Sequence, residues 1–400
     1  MPSKCPVHAL PVPFDEGYFA DPYPTYAKLR EDAPIHRVCL PEGPPVWLVT
    51  RYDDVAELLK DRRLVRNRRH ANSDYESELL PVLVREGNLH MEDGELHTRL
   101  RRFMNFAFTP KRIAMLRTRI EQETDRLLDE IEARGGGDLM HLLAAPLPIQ
   151  ITIDLLGIPR DMGGNFRGWS DAMLGGVIEE ARTAGKQLIE FIYQLVARKR
   201  ENPDDDLMSH WVHGKDEEGH GLSEQEMVGM TFFLVLGGYD TTVGSMGSTI
   251  LALLTQPDKA QRLREHPELI PDAVEEMLRW DGSAHNALRR FAVEDMEICG
   301  TQVKAGDTVI LSISSANRDP ARFPDPDVLD FDREDKQHWS FGRGAHHCPG
   351  KELARIEIQI MVEKLLTRFP DLKLAIAREE IEWRPNYLIR SPRRIPVTVR

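Results

Sequence analysis

A long, mostly apolar segment near the middle of the chain constrains the fold more than any other feature. Residues Ser223–Gln256 predict one continuous helix. A helix that is apolar around most of its circumference is stable only when it is buried. We therefore expect this helix to lie inside the protein.

Most of the remaining chain also predicts helices, and β structure is confined to short segments. Helical patterns occupy residues 22–32, 52–60, 92–108, 110–134, 181–200 and 267–280. Strand-like segments lie near residues 35–50, 284–315 and 381–400. No repeat or long linker divides the chain, so we expect one domain over residues 1–400, mainly α with a small β-rich subdomain.

Two glycines and a polar triplet interrupt the apolar pattern of the central helix. Gly237 and Gly238 each cost about 1 kcal/mol relative to alanine in a helix interior, and Asp240-Thr241-Thr242 follows directly. The Thr241 hydroxyl lies four residues after Gly237, where it could bond the Gly237 carbonyl and bend the helix. Such a conflict often marks a functional site. The alternative is a close helix–helix approach through small residues.

A single cysteine, Cys348, lies near the end of the glycine-rich loop His338–Gly350, and a helical pattern follows over Lys351–Phe369. Backbone N–H groups and the helix dipole stabilise a thiolate at this position. We therefore expect Cys348 to stay ionised near neutral pH and to serve as one strong iron ligand, the arrangement that favours O–O cleavage on haem. The alternatives are a buried free thiol and a zinc ligand, although zinc usually takes paired ligands at short spacing.

Composition excludes several classes of protein. The formal net charge of −13 disfavours a general nucleic-acid-binding role. The four cysteines contain no Cys-x-x-Cys pair, which suits a reducing cytosol and gives no disulfide framework. The first residues lack a signal-peptide pattern, and the apolar stretches are too short or too interrupted to span a bilayer. We therefore expect a cytoplasmic protein.

The pattern Phe341-Gly342-x-Gly344-x-x-x-Cys348-x-Gly350 resembles the haem-binding loop of the cytochrome P450 superfamily. The central Gly-Gly-Tyr-Asp-Thr-Thr run is similar to the oxygen-binding groove of that family. A Glu-x-x-Arg pair, Glu276 and Arg279, is more often a solvated surface contact when taken alone, but here it resembles a family motif. The resemblance covers nearly the whole chain. It implies the P450 fold and a soluble bacterial haem-thiolate monooxygenase.

The resemblance assigns roles to individual residues. It implies that Cys348 ligates the haem iron and that Asp240 and Thr241 deliver protons. The residues implied to bind haem are His97, Arg101, Leu234, Gly237, Gly238, Arg290, His338, Phe341, Gly342, Cys348 and Gly350. Glu276, Arg279 and Arg333 are implied to form a buried network behind the haem loop, and we expect loss of one partner to prevent haem loading.

Substrate contacts are implied to come from variable segments, including residues 64–89 and 163–180. The named candidates are Val235, Ala284, His285, Asn286, Ala287, Leu288 and Leu388. Most of them are apolar, whereas His285 and Asn286 are expected to fix a polar group. An apolar wall with few polar points suits a large oxygenated hydrophobic molecule. We expect a polyketide or macrolide of secondary metabolism first, and a terpenoid, steroid or aromatic natural product otherwise.

The implied reaction is O₂-dependent hydroxylation or epoxidation on haem b by a monomeric enzyme. The chain has no flavin, nicotinamide or Fe–S fingerprint, so NAD(P)H is expected to supply electrons through a ferredoxin and its reductase. The predicted basic docking face consists of Arg99, Arg102, Arg343, His346, His347 and Lys351. A mixed solvated surface is the alternative for that face. The alternative functions are a peroxygenase or decarboxylase, which the Asp240–Thr241 pair disfavours, and a haem sensor or carrier without turnover.

Overall fold

The computed structural model describes residues 10–40, 44–73, 87–159, 162–174 and 178–399. The α-helices of the N-terminal half are α1 Glu16–Ala20, α2 Tyr23–Asp32, α3 Tyr52–Leu58, α4 Gly94–Asn105, α5 Pro110–Arg134, α6 Pro146–Leu156, α7 Phe166–Leu174 and α8 Ile178–Glu201. Those that follow are α9 Leu207–His213, α10 Glu224–Leu234, α11 Asp240–Thr255, α12 Pro257–Glu265, α13 Ile270–Asp281, α14 Ile313–Asn317 and α15 Lys351–Arg368. The expectation of a mainly helical chain with small sheets is confirmed.

The central apolar segment forms two α-helices joined by a π-helical turn. Ser223 caps α10 through a reciprocal capping box with Glu226, and α11 ends at Thr255. The predicted ends are therefore right, but the predicted continuity is wrong, because Val235–Tyr239 is a π-helix. Threonine hydroxyls take the carbonyls of this turn as hydrogen-bond acceptors, and π turns of this kind often occur at functional sites. Nearly all of α10 and α11 is buried, as predicted.

Within the described residues, the strands form three small sheets. They are β1 Ile35–Val38, β2 Val46–Val49, β3 Leu64–Val65, β4 Gly136–Asp138, β5 Arg290–Ala292, β6 Met296–Ile298, β7 Thr301–Val303, β8 Thr308–Leu311, β9 Lys373–Leu374 and β10 Pro396–Thr398. The largest sheet has the order β1-β2-β8-β5-β3. The strands β2 and β8 are parallel, with Trp47 beside Val309. This pairing joins the early β segment to the one near residue 310.

The segment that follows α5 has a second role that the sequence pattern did not predict. Gly135 ends α5 in the left-handed conformation, with φ of 74°, as the glycine cluster predicts. The next residues then form β4, which pairs with β10, and β10 pairs with β9. A side chain at Gly136 would collide with the Val397 carbonyl. The predicted strands of residues 381–400 are thus reduced to β10 and isolated bridges at Trp383 and Ile389.

The cysteines depart from expectation at one position. Cys39 is disulfide-bonded, a bond that the spacing of the cysteines did not predict. Cys348 and Cys299 are free, and Cys299 lies exposed in the turn between β6 and β7. Cys348 lies just before α15, which packs on α5, α11 and α13. The fold therefore places the cysteine loop beside the central helix.

Candidate active site

The Cys348 loop is held by short backbone bonds. The Cys348 N–H donates to the Phe341 carbonyl at 2.9 Å, and the Gly342 N–H donates to the Trp339 carbonyl at 2.7 Å. Gly342 and Gly344 have φ of 67° and 76°, which other residues rarely adopt. The loop therefore needs both glycines to turn the thiol toward the interior just before α15 begins.

Burial raises the pKa of the Cys348 thiol. The Gly350 N–H and the positive charges of Arg101, Arg355 and Lys351 lower this pKa, but by less than burial raises it. Burial of the thiol therefore opposes the predicted ionisation of Cys348 more strongly than the loop and the neighbouring charges favour it. A thiol that coordinates a metal ion is deprotonated by the ion itself.

The thiol opens into a cavity of about 440 Å³ between the cysteine loop and the π turn of the central helix. Predicted haem and proton-delivery residues that line it are His97, Arg101, Leu234, Gly237, Gly238, Asp240, Thr241, Arg290, Phe341, Gly342, Cys348 and Gly350. Predicted substrate residues that line it are Ala284, Asn286, Ala287, Leu288 and Leu388. The fold thus brings together segments that are far apart in the sequence.

The π turn carries the hydroxyl bonds expected of the groove. Thr241 donates to the Gly237 carbonyl at 2.5 Å, and Thr242 donates to the Gly238 carbonyl at 2.8 Å. The Thr241 carbonyl in turn accepts from the Ser283 hydroxyl at 2.6 Å. The threonine hydroxyl is therefore fixed on the cavity wall, as the spacing of Gly237 and Thr241 predicted.

Asp240 is almost fully buried and forms an ion pair with Arg384. Burial raises the pKa of Asp240, the Arg384 charge lowers it, and the Asp171 charge raises it further. The Arg384 side chain keeps 23% of its surface exposed, so it connects the buried acid to the solvent side. Sequence reasoning missed Arg384, because no local pattern links it to Asp240.

One end of the cavity is strongly cationic. His97, Arg101 and Arg290 lie there as predicted, together with Arg66, which sequence reasoning missed. Buried side-chain nitrogens of His97, Arg290 and Arg66 have no partner among the described residues. Burial lowers the pKa of Arg290 to about 10 and that of Arg66 to about 9. Unpaired buried cations fit carboxylate ligands, so this end suits the two haem propionates.

The structure corrects the position of one predicted haem residue. His338 lies outside the cavity lining, where its Nε2 contacts Glu275 Oε2 at 3.3 Å and its Nδ1 accepts from the Ser340 N–H. His346, predicted for the docking face, lies instead at the cationic end where His338 was predicted, with its ring 4.3 Å from the His97 ring. Both histidines precede Cys348 in one loop, and spacing alone does not show which one faces inward.

The Glu-x-x-Arg pair is buried, in contrast to the surface alternative. Arg279 donates to both Glu276 carboxylate oxygens at 2.7 and 2.8 Å, and Arg333 donates to Glu276 Oε1 at 3.1 Å. Arg279 also donates to the Asn317 carbonyl at 2.8 Å. The Asn317 side chain accepts from the Trp339 N–H at 2.8 Å, which connects the network to the cysteine loop.

Two predicted substrate residues point elsewhere. Val235 is fully buried in the helical core. His285 is buried near Asp281, at 3.8 Å, and against the Tyr23 and Tyr26 rings. Both predictions are wrong because the backbone there turns these side chains away from the cavity. Of the predicted substrate segments, residues 74–86 and 175–177 lie outside the described residues.

Several lining residues were not predicted individually. The apolar ones include Leu89, Met91, Phe108, Leu155, Met173, Phe233 and Ile389. His90 also lines the cavity, and it follows Leu89 in the short segment before α4. The sequence did not identify His90 as a site residue, because the apolar residues around it follow no helical or strand periodicity.

The predicted docking face is partly used within the fold. Arg99 donates to Asp216 at 2.8 Å and to Glu226 at 2.7 Å. His346 is buried and its Nε2 lies 3.1 Å from Asp93 Oδ1. These two residues therefore do not belong to an exposed basic face, whereas Arg102 is exposed and Lys351 is half-buried.

Two other features are absent from the described residues. Within the described residues, no three His, Cys, Asp or Glu side chains converge to hold a metal ion. Over the same residues, no helix has the length and apolar character needed to cross a membrane.

Comparisons with known proteins agree with this geometry. The family model "Cytochrome P450" matches residues 149–381. Cytochrome P450 monooxygenase PikC of Streptomyces venezuelae is 39% identical over 96% of this chain and 92% of its own. Mycinamicin IV hydroxylase/epoxidase of Micromonospora griseorubida is 39% identical over 93% of this chain and 94% of its own. The chain belongs to the cytochrome P450 family.

A solved structure gives the same result for the fold. The cytochrome P450 PksS of the bacillaene polyketide synthase of Bacillus subtilis 168 superposes with a TM-score of 0.90 at 38% identity, covering 97% of this chain and 99% of that one. The chain is a haem-thiolate monooxygenase of this family, which uses O₂ and electrons from redox partners.

Proposed function

We propose that this protein hydroxylates or epoxidises a macrolide or related polyketide on haem b. The observation that carries the proposal is the placement of Cys348 and Thr241 on one largely apolar cavity. The names of the compared relatives, one of which acts on mycinamicin IV and one of which serves a polyketide synthase, support this substrate class.

The residues present fit haem b, because a thiol and unpaired side-chain nitrogens line one largely apolar cavity. Cys348 would supply the thiolate ligand to the iron, and Arg66, His97, Arg101, Arg290 and His346 would hold the propionates. When bound, haem supplies the O₂-dependent oxidation chemistry. The buried network of Glu276, Arg279 and Arg333 would keep the cysteine loop in place through Asn317.

Asp240 and Thr241 would deliver protons to the reacting end of the cavity. The Thr241 hydroxyl faces the cavity from the π turn, and Asp240 lies next to it with Arg384 as its counter-ion. Rotation of the Asp240 carboxyl away from the part-exposed Arg384 would carry a proton from solvent water toward Thr241, while the Arg384 guanidinium keeps its charge. This path supports a monooxygenase over a peroxygenase or a haem sensor without turnover, since only the first needs such delivery.

Electrons would come from NAD(P)H through a ferredoxin and its reductase. With Arg99 and His346 engaged inside the fold, the docking face would consist of Arg343, His347 and Lys351, in or next to the cysteine loop, and of the exposed Arg102, which pairs with Glu217 at 3.2 Å. The Lys351 and Arg101 charges both act on His347, which supports a local positive potential.

We also infer that residues 1–400 fold as one domain. The largest sheet combines strands from residues 35–65 with strands from residues 290–311. Limited proteolysis that releases two separately stable fragments would contradict this inference.

The substrate class can be tested by ligand titration of the haem-loaded protein. Mycinamicin IV and 6-deoxyerythronolide B are compared with a steroid and a terpenoid, and the spin-state change of the haem band reports binding near the iron. We expect macrolide binding, followed by a product that gains one ¹⁸O atom from ¹⁸O₂ when NADPH, ferredoxin and reductase are added. Binding of the steroid or terpenoid alone would reject the macrolide proposal.

Replacement of Thr241 by alanine is expected to uncouple electron use from product. Proton delivery by a positioned side chain typically contributes about 10²–10⁴-fold, so product formed per NADPH should fall by about tenfold or more while peroxide rises. Thr255→Ala is the control, because Thr255 makes the same type of bond, to the Leu251 carbonyl at 2.8 Å, at the far end of α11. Unchanged coupling in Thr241→Ala would remove the role given to this hydroxyl.

A further inference from the structure

His90 occupies the cavity beside the π turn. Its imidazole packs against the Phe233 ring with centroids 4.3 Å apart. A Cβ atom placed on Gly237 would lie 2.7 Å from His90 Cε1 and 3.1 Å from Nε2. Only a glycine at position 237 therefore leaves room for this imidazole, which lies on the groove side of the cavity.

The ring nitrogens of His90 are not hydrogen-bonded within the described part of the chain. Its backbone N–H is bonded to Asn88 Oδ1 at 2.9 Å, but neither ring nitrogen has a hydrogen-bond partner there. The surrounding walls are largely apolar, with Leu89, Met91 and Phe233 among them. Buried polar groups are nearly always hydrogen-bonded in folded proteins, so an unpartnered imidazole in a ligand cavity points to a ligand atom.

The charge state of His90 defines what it can bind. Burial lowers the pKa of His90 to about 3, and the nearby charges of Arg66 and His97 lower it as well. A neutral imidazole offers one N–H donor and one lone pair. It can therefore hydrogen-bond a carbonyl or hydroxyl oxygen. Carboxylates are better matched by the arginines at the cationic end of the cavity.

We propose that His90 is a specificity-determining residue that hydrogen-bonds a carbonyl or hydroxyl oxygen of the substrate beside the π turn. The inference rests on the proposed function, since it takes the cavity to receive an oxygenated small molecule. In this role, His90 would select substrates that carry an oxygen atom close to the position where they are oxidised.

The test uses two ring-shaped probes of matched size, cyclododecanone and methylenecyclododecane, in which a CH₂ group replaces the carbonyl oxygen. Equilibrium dialysis of the haem-loaded protein gives both dissociation constants without turnover. A neutral hydrogen bond is worth about 1 kcal/mol, so we expect the wild-type protein to prefer the ketone and His90→Phe to weaken ketone binding by about fivefold. The hydrocarbon should bind both proteins equally.

Two further variants separate hydrogen bonding from packing. His90→Gln keeps a donor and an acceptor and should retain most of the preference for the ketone. His220→Phe makes the same substitution at an exposed side chain and should leave both constants unchanged. Absence of ketone binding in the wild type, equal losses for both probes in His90→Phe, or equal losses in the Gln and Phe variants would overturn the proposal.

The outcome is distinguishable from a failure of the proposed function. Dialysis does not depend on redox partners or on macrolide binding. A retained ketone preference with no macrolide binding would leave the role of His90 intact and reject only the substrate class.

Discussion

A Cys348→Ser protein is expected to lose the spectral signature of thiolate-ligated haem and all detectable product. Cys348 is the free thiol that opens into the cavity, and thiolate ligation is what favours O–O cleavage. The measurement is the absorption spectrum of the dithionite-reduced protein under carbon monoxide. The wild type should show a strongly red-shifted Soret band, and the variant should show the band typical of haem without a thiolate ligand.

Cys299→Ser is the matched control, because Cys299 is a free cysteine that lies exposed in the turn between β6 and β7. It should keep the wild-type spectrum and product yield. A red-shifted band retained by Cys348→Ser would show that another group ligates the iron. A wild-type band typical of neutral ligands would contradict the assignment of Cys348 directly, with His347 as the next candidate in the loop.

Loss of the Glu276 charge is expected to have the largest effect on stability. Glu276 is fully buried and accepts hydrogen bonds from two arginines, so Glu276→Gln leaves the Arg279 and Arg333 charges without a counter-ion. Breaking a buried ion pair by removing one partner costs about 3–5 kcal/mol. The free energy of unfolding should fall by this amount, and the fraction of protein that loads haem should fall with it.

Denaturant titration and the ratio of haem to protein absorbance measure these two effects. Glu268→Gln is the control, because Glu268 is exposed and its contact is with the exposed His266 at 3.2 Å. That variant should unfold within about 0.5 kcal/mol of the wild type. Equal stability and haem loading in both variants would show that the buried network does not hold the cysteine loop.

Much of the fold follows from local patterns. The ends of the central helix follow from the Ser223 cap and the last apolar residues, and Gly135 ends α5 where the glycine cluster indicates. The bond of the Thr241 hydroxyl to the Gly237 carbonyl was predicted, but the π turn was not, because such a bond can bend a helix without changing its backbone hydrogen-bond pattern. The strands β4 and β9 were missed because two- and three-residue strands carry no period of their own.

The residues of the candidate site were likewise predicted only where a local motif contains them. Cys348, Thr241 and Arg290 were predicted because their motifs are local and the resemblance fixes their spacing. Arg66 and Arg384 were missed because their partners lie far away in sequence. The facing direction of a side chain within an irregular loop depends on tertiary packing, which short patterns do not encode.

The distance in sequence between paired residues also sets the order in which the protein can be completed during synthesis. The strand β2 has its parallel neighbour in β8, and the Asp240 carboxylate has its counter-ion in Arg384. Because the ribosome delivers the chain from its N-terminus, Asp240 stays without this counter-ion until Arg384 has emerged. A nascent chain that stalls before Arg384 would therefore leave a buried acid without its partner.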